Sequence, residues 1–281
     1  MSNNKTIAVI GAGQMGSGIA EVALACGFHV ILNDEREEAL FKAKASIEKG
    51  LQKSFDKKLI QEPVDEIIKR FKASAQLDSL KSVDIVIEAI VENAEIKCEL
   101  FKKLDEIVQP KAIFCSNTSS ISITKLAGST NRPDKVIGMH FMNPVPVMKL
   151  VEVIRALQTS SETYKTIDEI SKQMGKTVVD AFDTPGFIVN RILCPMLNEA
   201  FYLLQEGVSA ESIDNAMKLG TNQPMGPLAL ADFVGLDTLL FILKVLHTEI
   251  GEDKYRPCPL LARYVEAGWV GKKSGRGVYR Y

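Results

Sequence analysis

Short unbroken apolar runs alternate along this chain with longer stretches in which apolar positions recur at helical spacing. Residues 6–10 (Thr-Ile-Ala-Val-Ile) and 29–33 (His-Val-Ile-Leu-Asn) are runs of the first kind and read as buried strands, with a helix over 17–25 between them. Beyond residue 34, Ala39, Leu40, Ala43, Ile47, Leu51 and Phe55 follow a helical period, and residues 64–71 offer another short helix, so the chain makes a long helical crossover. Strand-like runs return at 84–90 and 112–116, separated by a helical pattern through Ile96, Leu100, Phe101 and Leu104. Residues 136–141 and 149–154 are two further strands joined by Asn143-Pro144-Val145-Pro146, whose prolines cannot sit inside a central strand, and 177–182 is a last one. After Thr184-Pro185-Gly186 the pattern turns helical, over 188–204, 212–219 and 227–247. The expected fold is α/β: a doubly wound sheet over residues 1–184, followed by an all-α domain over 185–281.

The first strand empties into Gly11-Ala12-Gly13-Gln14-Met15-Gly16, and the helix starts directly after it. Gly11 permits the tight turn, Gly13 lets bare backbone approach a pyrophosphate, and Gly16 lets helix and strand pack closely, with helix N–H groups facing the anion. The second strand ends at Asp34, roughly 20 residues past the glycines, where a carboxylate accepts bonds from the hydroxyls of an adenine ribose. This is the context of a Rossmann-type dinucleotide site. Asp34 repels a 2′-phosphate and favours NAD over NADP, with Arg36 beside it pulling the other way.

Composition narrows the class. Lys plus Arg (34) almost balance Asp plus Glu (35), so the phosphate neutralisation that a nucleic-acid binder needs is absent. The five cysteines are scattered without a CxxC pair and histidines number three, so neither a disulfide framework nor a metal site is expected. Residues 1–5 run straight into the first strand with no apolar leader, which implies a cytoplasmic protein. The most apolar stretch, 227–246, carries Asp232, Asp237 and Lys244, so it reads as core helix and no membrane partner is expected.

Hydride chemistry on an alcohol needs a proton acceptor, and histidine titrates nearest neutrality. His29 starts a strand and His247 ends an apolar helix, whereas His140 lies at a strand end, where ligands of open α/β sheets gather. Catalysis and a satisfied core histidine both suit His140 on that ground alone. Glu152 changes the balance: in Leu150-Val151-Glu152-Val153-Ile154 a carboxylate must find a partner, and if the two strands are neighbours it can orient His140 and stabilise the imidazolium. Ser116-Asn117-Thr118-Ser119-Ser120 follows a strand and displays polar groups at the same sheet edge, with helix capping the preferred reading for Ser120 and Ser122. Asn190 can donate to a substrate carbonyl or cap a turn.

The glycine motif with Ser17-Gly18-Ile19-Ala20, Ser116-Asn117-Thr118-Ser119-Ser120, His140-Phe141-Met142-Asn143-Pro144 and Pro185-Gly186-Phe187-Ile188-Val189-Asn190-Arg191 resembles the signature motifs of the L-3-hydroxyacyl-CoA dehydrogenase family. Gln223-Pro224-Met225-Gly226-Pro227 and Gly271-Lys272-Lys273-Ser274-Gly275-Arg276-Gly277 extend the likeness over essentially the whole chain. The resemblance implies NAD-linked interconversion of an (S)-3-hydroxyacyl-CoA and its 3-keto form, and the compact length is most like the bacterial members that handle the 3-hydroxybutyryl thioester. It implies His140 and Glu152 as the catalytic pair, Ser119 on the reacting oxygen, and Asn190 positioning substrate and histidine. It also implies cofactor contacts at Glu92, Lys97, Asn117, Ser119, Asn143 and Lys273, chemistry in the cleft between two domains, and a homodimer through the helical one. Lys49, Lys53 and Lys57, with Lys58 adjacent, form a helical stripe that is either a solvated face or a contact for the CoA phosphates, Lys53 and Lys57 being the candidates. A related dehydrogenase of a small hydroxyacid without CoA, such as a gulonate-type sugar acid, and a crystallin-like structural protein that retains the cofactor are the rivals.

Overall fold

The computed structural model describes residues 5–281; residues 1–4, part of the segment read above as leading into the first strand, lie outside the described residues. The chain divides into two compact units, one ending at Thr184 and the other spanning Pro185–Tyr281.

The first unit is built on an eight-stranded sheet. In chain order its elements are β1 (Thr6–Ile10), α1 (Gln14–Ala25), β2 (His29–Asn33), α2 (Glu37–Asp56), α3 (Val64–Ile68), β3 (Phe71–Ser74), β4 (Ile85–Glu88), α4 (Ala94–Ile107), β5 (Ile113–Ser116), α5 (Ile123–Ala127), β6 (Val136–Phe141), β7 (Leu150–Arg155), α6 (Ser161–Gln173) and β8 (Thr177–Phe182). The spatial order is β3-β2-β1-β4-β5-β6-β7-β8. All neighbours are parallel except β6 and β7, which are antiparallel and place His140 directly opposite Glu152. The chain winds outward from β1 first to one side and then to the other, so a crevice opens beyond the carboxyl ends of β1 and β4. Every residue of β4, β5 and β6 is buried, which accounts for their unbroken apolar runs.

Two departures from the sequence pattern have local causes. The stretch 64–71 is not one helix: α3 stops at Ile68, and Phe71–Ser74 becomes the edge strand β3, paired to β2 from Val30 to Asn33. Helix α6 was not visible in the apolar pattern, and it is capped by the Ser160 hydroxyl, which accepts from the Thr163 N–H.

The second unit contains α7 (Val189–Gln205), α8 (Ala210–Gly220), α9 (Pro227–Val234), α10 (Leu236–Ile250) and α11 (Pro259–Glu266) around Leu197, Phe201, Leu239, Leu243 and Leu261. The helix expected over 227–247 is broken into α9 and α10 at Gly235, whose φ of 103° no ordinary side chain adopts comfortably. No helix among the described residues is long and apolar enough to cross a membrane.

Candidate active site

The glycine turn has the form an anion needs. Gly11 sits at φ 104°, and a Cβ on Gly16 would overlap the Gly11 carbonyl oxygen, so α1 can start only if residue 16 has no side chain. Nothing lies within 4 Å of the place where a Gly13 side chain would be, which leaves the backbone between β1 and α1 open to a phosphate. Helix α1 begins at Gln14, three residues earlier than the apolar pattern implied, so the helix N-terminus itself is part of the turn.

Asp34 follows β2 and faces this turn. Its Oδ2 accepts the Ala12 N–H at 2.9 Å, and its Oδ1 accepts the N–H and Nε of Arg36 at 3.0 and 3.2 Å. Burial pushes the carboxyl up, but the Ala12 and Arg36 N–H groups and the Arg36 guanidinium outweigh it and hold the pKa below the usual aspartate value. A groove of 860 Å³ runs from here past Gly13, Asp34, Gln76, Ile90 and Leu100. The residues present therefore fit an adenosine with its pyrophosphate on the glycine turn and an acid at its ribose. The wall over Gln76 and Leu77 comes from the segment after β3.

The Nδ1 of His140 lies 2.7 Å from the Oε2 of Glu152, both side chains being buried. The strands are neighbours and the two residues are register partners, so the condition that the strands adjoin holds. A buried carboxylate on Nδ1 selects the tautomer with its proton there, which puts the basic lone pair on Nε2.

The polar loop after β5 is tied on both sides. The Asn117 side chain accepts the Phe141 N–H at 2.8 Å, next to His140. Glu92 takes the hydroxyls of Thr118, Ser119 and Ser120 and the N–H groups of Ser119 and Ser120 on one oxygen. Burial raises the Glu92 carboxyl, but Lys97 and these donors prevail and keep it ionised below the ordinary range. Ser122 caps α5, as its pattern suggested; Ser120 does not, because its hydroxyl donates to Glu92 at 2.8 Å. Gln14 donates to Asn143 at 3.1 Å, bringing the glycine turn and the end of β6 together. Gly11 through Gly16, Asp34, Glu92, Asn117, Ser119, His140 and Asn143 thus gather at one edge of one sheet.

Other candidates stand elsewhere. Lys97 is 1% exposed, and its ammonium pairs with Glu88 and Glu92. Lys49 and Lys53 are exposed on α2, with Lys57 and Lys58 just past its end, and no ion pair engages any of the four among the described residues. Asn190 lies in the first turn of α7 in the second unit. Lys273, also in that unit, pairs with Asp237 at 2.7 Å. No cluster of metal-ligating side chains is present among the described residues. Glu88 carries no signal in the sequence beyond an ordinary strand-end position, yet its buried side chain hydrogen-bonds at 2.6 Å to Ser116, the first residue of the polar cluster.

Known proteins resemble the chain along its whole length. Residues 6–184 match the 3-hydroxyacyl-CoA dehydrogenase NAD binding domain, and residues 186–281 match the C-terminal domain of the same enzymes. A probable 3-hydroxybutyryl-CoA dehydrogenase of Bacillus subtilis is 56% identical over 279 residues, 99% of this chain and 97% of the relative. The human mitochondrial hydroxyacyl-coenzyme A dehydrogenase is 47% identical, covering 99% of this chain and 91% of its own. The crystal structure of (S)-3-hydroxybutyryl-CoA dehydrogenase from Ralstonia eutropha is similar with a TM-score of 0.94 at 49% identity, covering 99% of both chains.

Proposed function

We propose that this chain, which belongs to the 3-hydroxyacyl-CoA dehydrogenase family, interconverts (S)-3-hydroxybutyryl-CoA and acetoacetyl-CoA with NAD(H). The observation that carries the reading is the buried His140–Glu152 pair at the sheet edge that also bears the glycine turn and Asp34. The NAD-binding residues would hold a group that, when bound, would supply the hydride acceptor for C3 of the alcohol and, reduced, the hydride donor for the ketone. The backbone of Gly11, Ala12, Gly13, Gln14, Met15 and Gly16 would hold its pyrophosphate and Asp34 its ribose. Glu92, Lys97, Asn117, Ser119 and Asn143, with Lys273 from the second unit, are assigned to the rest of the cofactor on the family correspondence.

His140 removes the hydroxyl proton through Nε2 in oxidation and returns it in reduction. Glu152 keeps the imidazole in the required tautomer and offsets the positive charge it gains. Ser119 donates to the reacting oxygen; its hydroxyl is 3.4 Å from Glu92, a bond long enough to give way to a substrate. Asn190 is assigned to positioning substrate and histidine, and the exposed Lys53 and Lys57 to the CoA phosphates. The first unit serves as the NAD-binding domain, and the second carries substrate contacts and the homodimer interface. The cytoplasm is the location assigned to the chain.

Steady-state kinetics decide the reading. Acetoacetyl-CoA should be reduced with NADH, while free acetoacetate is not. Turnover of the free acid with indifference to the thioester would transfer the chain to the hydroxyacid dehydrogenases, and no turnover of either would leave a cofactor-binding structural protein.

A further inference from the structure

Glu88 is the last residue of β4, wholly buried, and has no part in the chemistry above. Its Oε1 accepts the Lys97 ammonium at 2.5 Å and the Ile90 N–H at 2.7 Å; its Oε2 accepts the Ser116 hydroxyl at 2.6 Å. From these two oxygens a closed ring of bonds can be followed. Ser116 Oγ in turn accepts the Thr118 N–H at 3.2 Å, the Thr118 hydroxyl donates to Glu92 Oε1, and Glu92 Oε2 lies 3.2 Å from the same Lys97 ammonium. The main chain repeats the link, since the Glu88 carbonyl accepts the Asn117 N–H at 2.8 Å. The loop enclosed by this ring carries Ser119, and Asn117 on the same loop holds the backbone beside His140.

We infer that Glu88 is a positioning residue for the hydride-transfer reaction: through Ser116 and through Lys97 and Glu92 it holds the loop of residues 116–120, and with it the Ser119 hydroxyl, in register with His140. The inference rests on the dehydrogenase reading above for the role of Ser119. Charge explains why a carboxylate is needed. Lys97 is buried and must have counter-charge. With the Glu88 carboxylate beside Lys97, Glu92 need give Lys97 only one oxygen and keeps the other for the donors of the loop. Without that charge Glu92 becomes the sole counterion and is drawn off the loop. An amide at position 88 also presents N–H groups where Ser116 or Lys97 now donates, so one side of the ring must open.

The test is a double-mutant cycle with an independent measure of loop order. Glu88→Gln should lower kcat for acetoacetyl-CoA reduction about 10- to 100-fold, the scale of a misplaced reacting group, with little change in KM for the thioester. In a Ser119→Ala background the same change should cost no more than about twofold, since no hydroxyl remains to be placed. Amide hydrogen exchange over residues 117–121 should quicken in Glu88→Gln. It should stay unaltered in Asp105→Asn, another ion-paired acid of the same unit, whose partners are Arg132 and Asn131. Equal losses in both Ser119 backgrounds, or unchanged exchange at 117–121, would overturn the inference. If Glu88→Gln does not fold, Ser116→Ala opens one arm of the ring and must show the same coupling and the same exchange. Failure of the unmutated protein to reduce acetoacetyl-CoA overturns the substrate reading instead, and the exchange arm still decides on Glu88.

Discussion

Buried carboxylates in the two units face different kinds of donor. In the first unit Glu152 meets an imidazole, Glu88 an ammonium and a hydroxyl besides the Ile90 N–H, and the half-buried Glu92 three hydroxyls besides two N–H groups. In the second, Asp214 accepts the N–H groups of Leu228 and Ala229 with the Tyr279 hydroxyl, and Asp232 those of Val278 and Tyr279 with the Tyr281 hydroxyl. Each arrangement answers the same desolvation cost. Backbone N–H groups neither titrate nor swing away, so the second unit's acids stitch the C-terminal segment to α8 and α9. Side-chain donors can exchange protons or move, so the first unit's acids suit a site.

The comparison breaks first at His140. His140→Gln should reduce turnover at least ~10²-fold with NADH binding largely intact, measured by kinetics and by fluorescence titration. Glu152→Gln should also slow turnover, and adding it to His140→Gln should cost little more. Fully multiplicative losses in a folded double mutant would make Glu152 a structural acid of the Asp232 kind.

Asp232→Asn tests the opposite corner. It leaves two half-buried N–H groups competing for one oxygen and should destabilise the second unit by ~3 kcal/mol, with kcat at saturating cofactor unchanged below the transition. Trp269, the single tryptophan, lies in that unit and reports its unfolding in denaturant. A large kcat loss without loss of stability would place Asp232 among the site's acids.

Asp34 sharpens the contrast because it stands between the two kinds, held by two N–H groups yet facing the groove. NADH should be preferred over NADPH, and Asp34→Ala should raise KM for NADH about tenfold while narrowing that preference, because Arg36 is released toward a 2′-phosphate. Equal efficiency with both cofactors in the unmutated protein would contradict it.

The smallest effects lie in pH. Glu92 has a folded pKa below its ordinary value, so its contribution is complete above that value and fades as pH falls through the lowered one. The thermal stabilities of the unmutated protein and Glu92→Gln should converge on acidification. Tyr281 runs the other way. Burial first, then the Asp232 carboxylate, pushes its phenol from 10 up to about 12, so its contribution holds below pH 10 and is lost as pH climbs toward 12. Tyr281→Phe should converge with the unmutated protein in alkali, and a parallel offset at every pH would refute the coupling.

Local chemistry in the sequence determined much of this protein. The glycine turn, the acid at position 34, the strand runs at 6–10, 29–33 and 136–141 and the change to helix after residue 184 all rest on neighbouring residues, whose sterics and periodicity act over a few positions. An apolar run with a lone carboxylate marked Glu152 as needing a partner. Only the tertiary structure decided that the partner is His140, because a one-residue slip between β6 and β7 would turn the two side chains to opposite faces. Strand β3 is four residues long and stands or falls with its pairing to β2, and the break at Gly235 separates two stretches with the same apolar period. The Glu88 ring joins residues 88, 92, 97, 116 and 118 across two loops, and no spacing in the sequence announces it. Buried charges choose partners by distance in three dimensions, and that distance exists only once the sheet has formed.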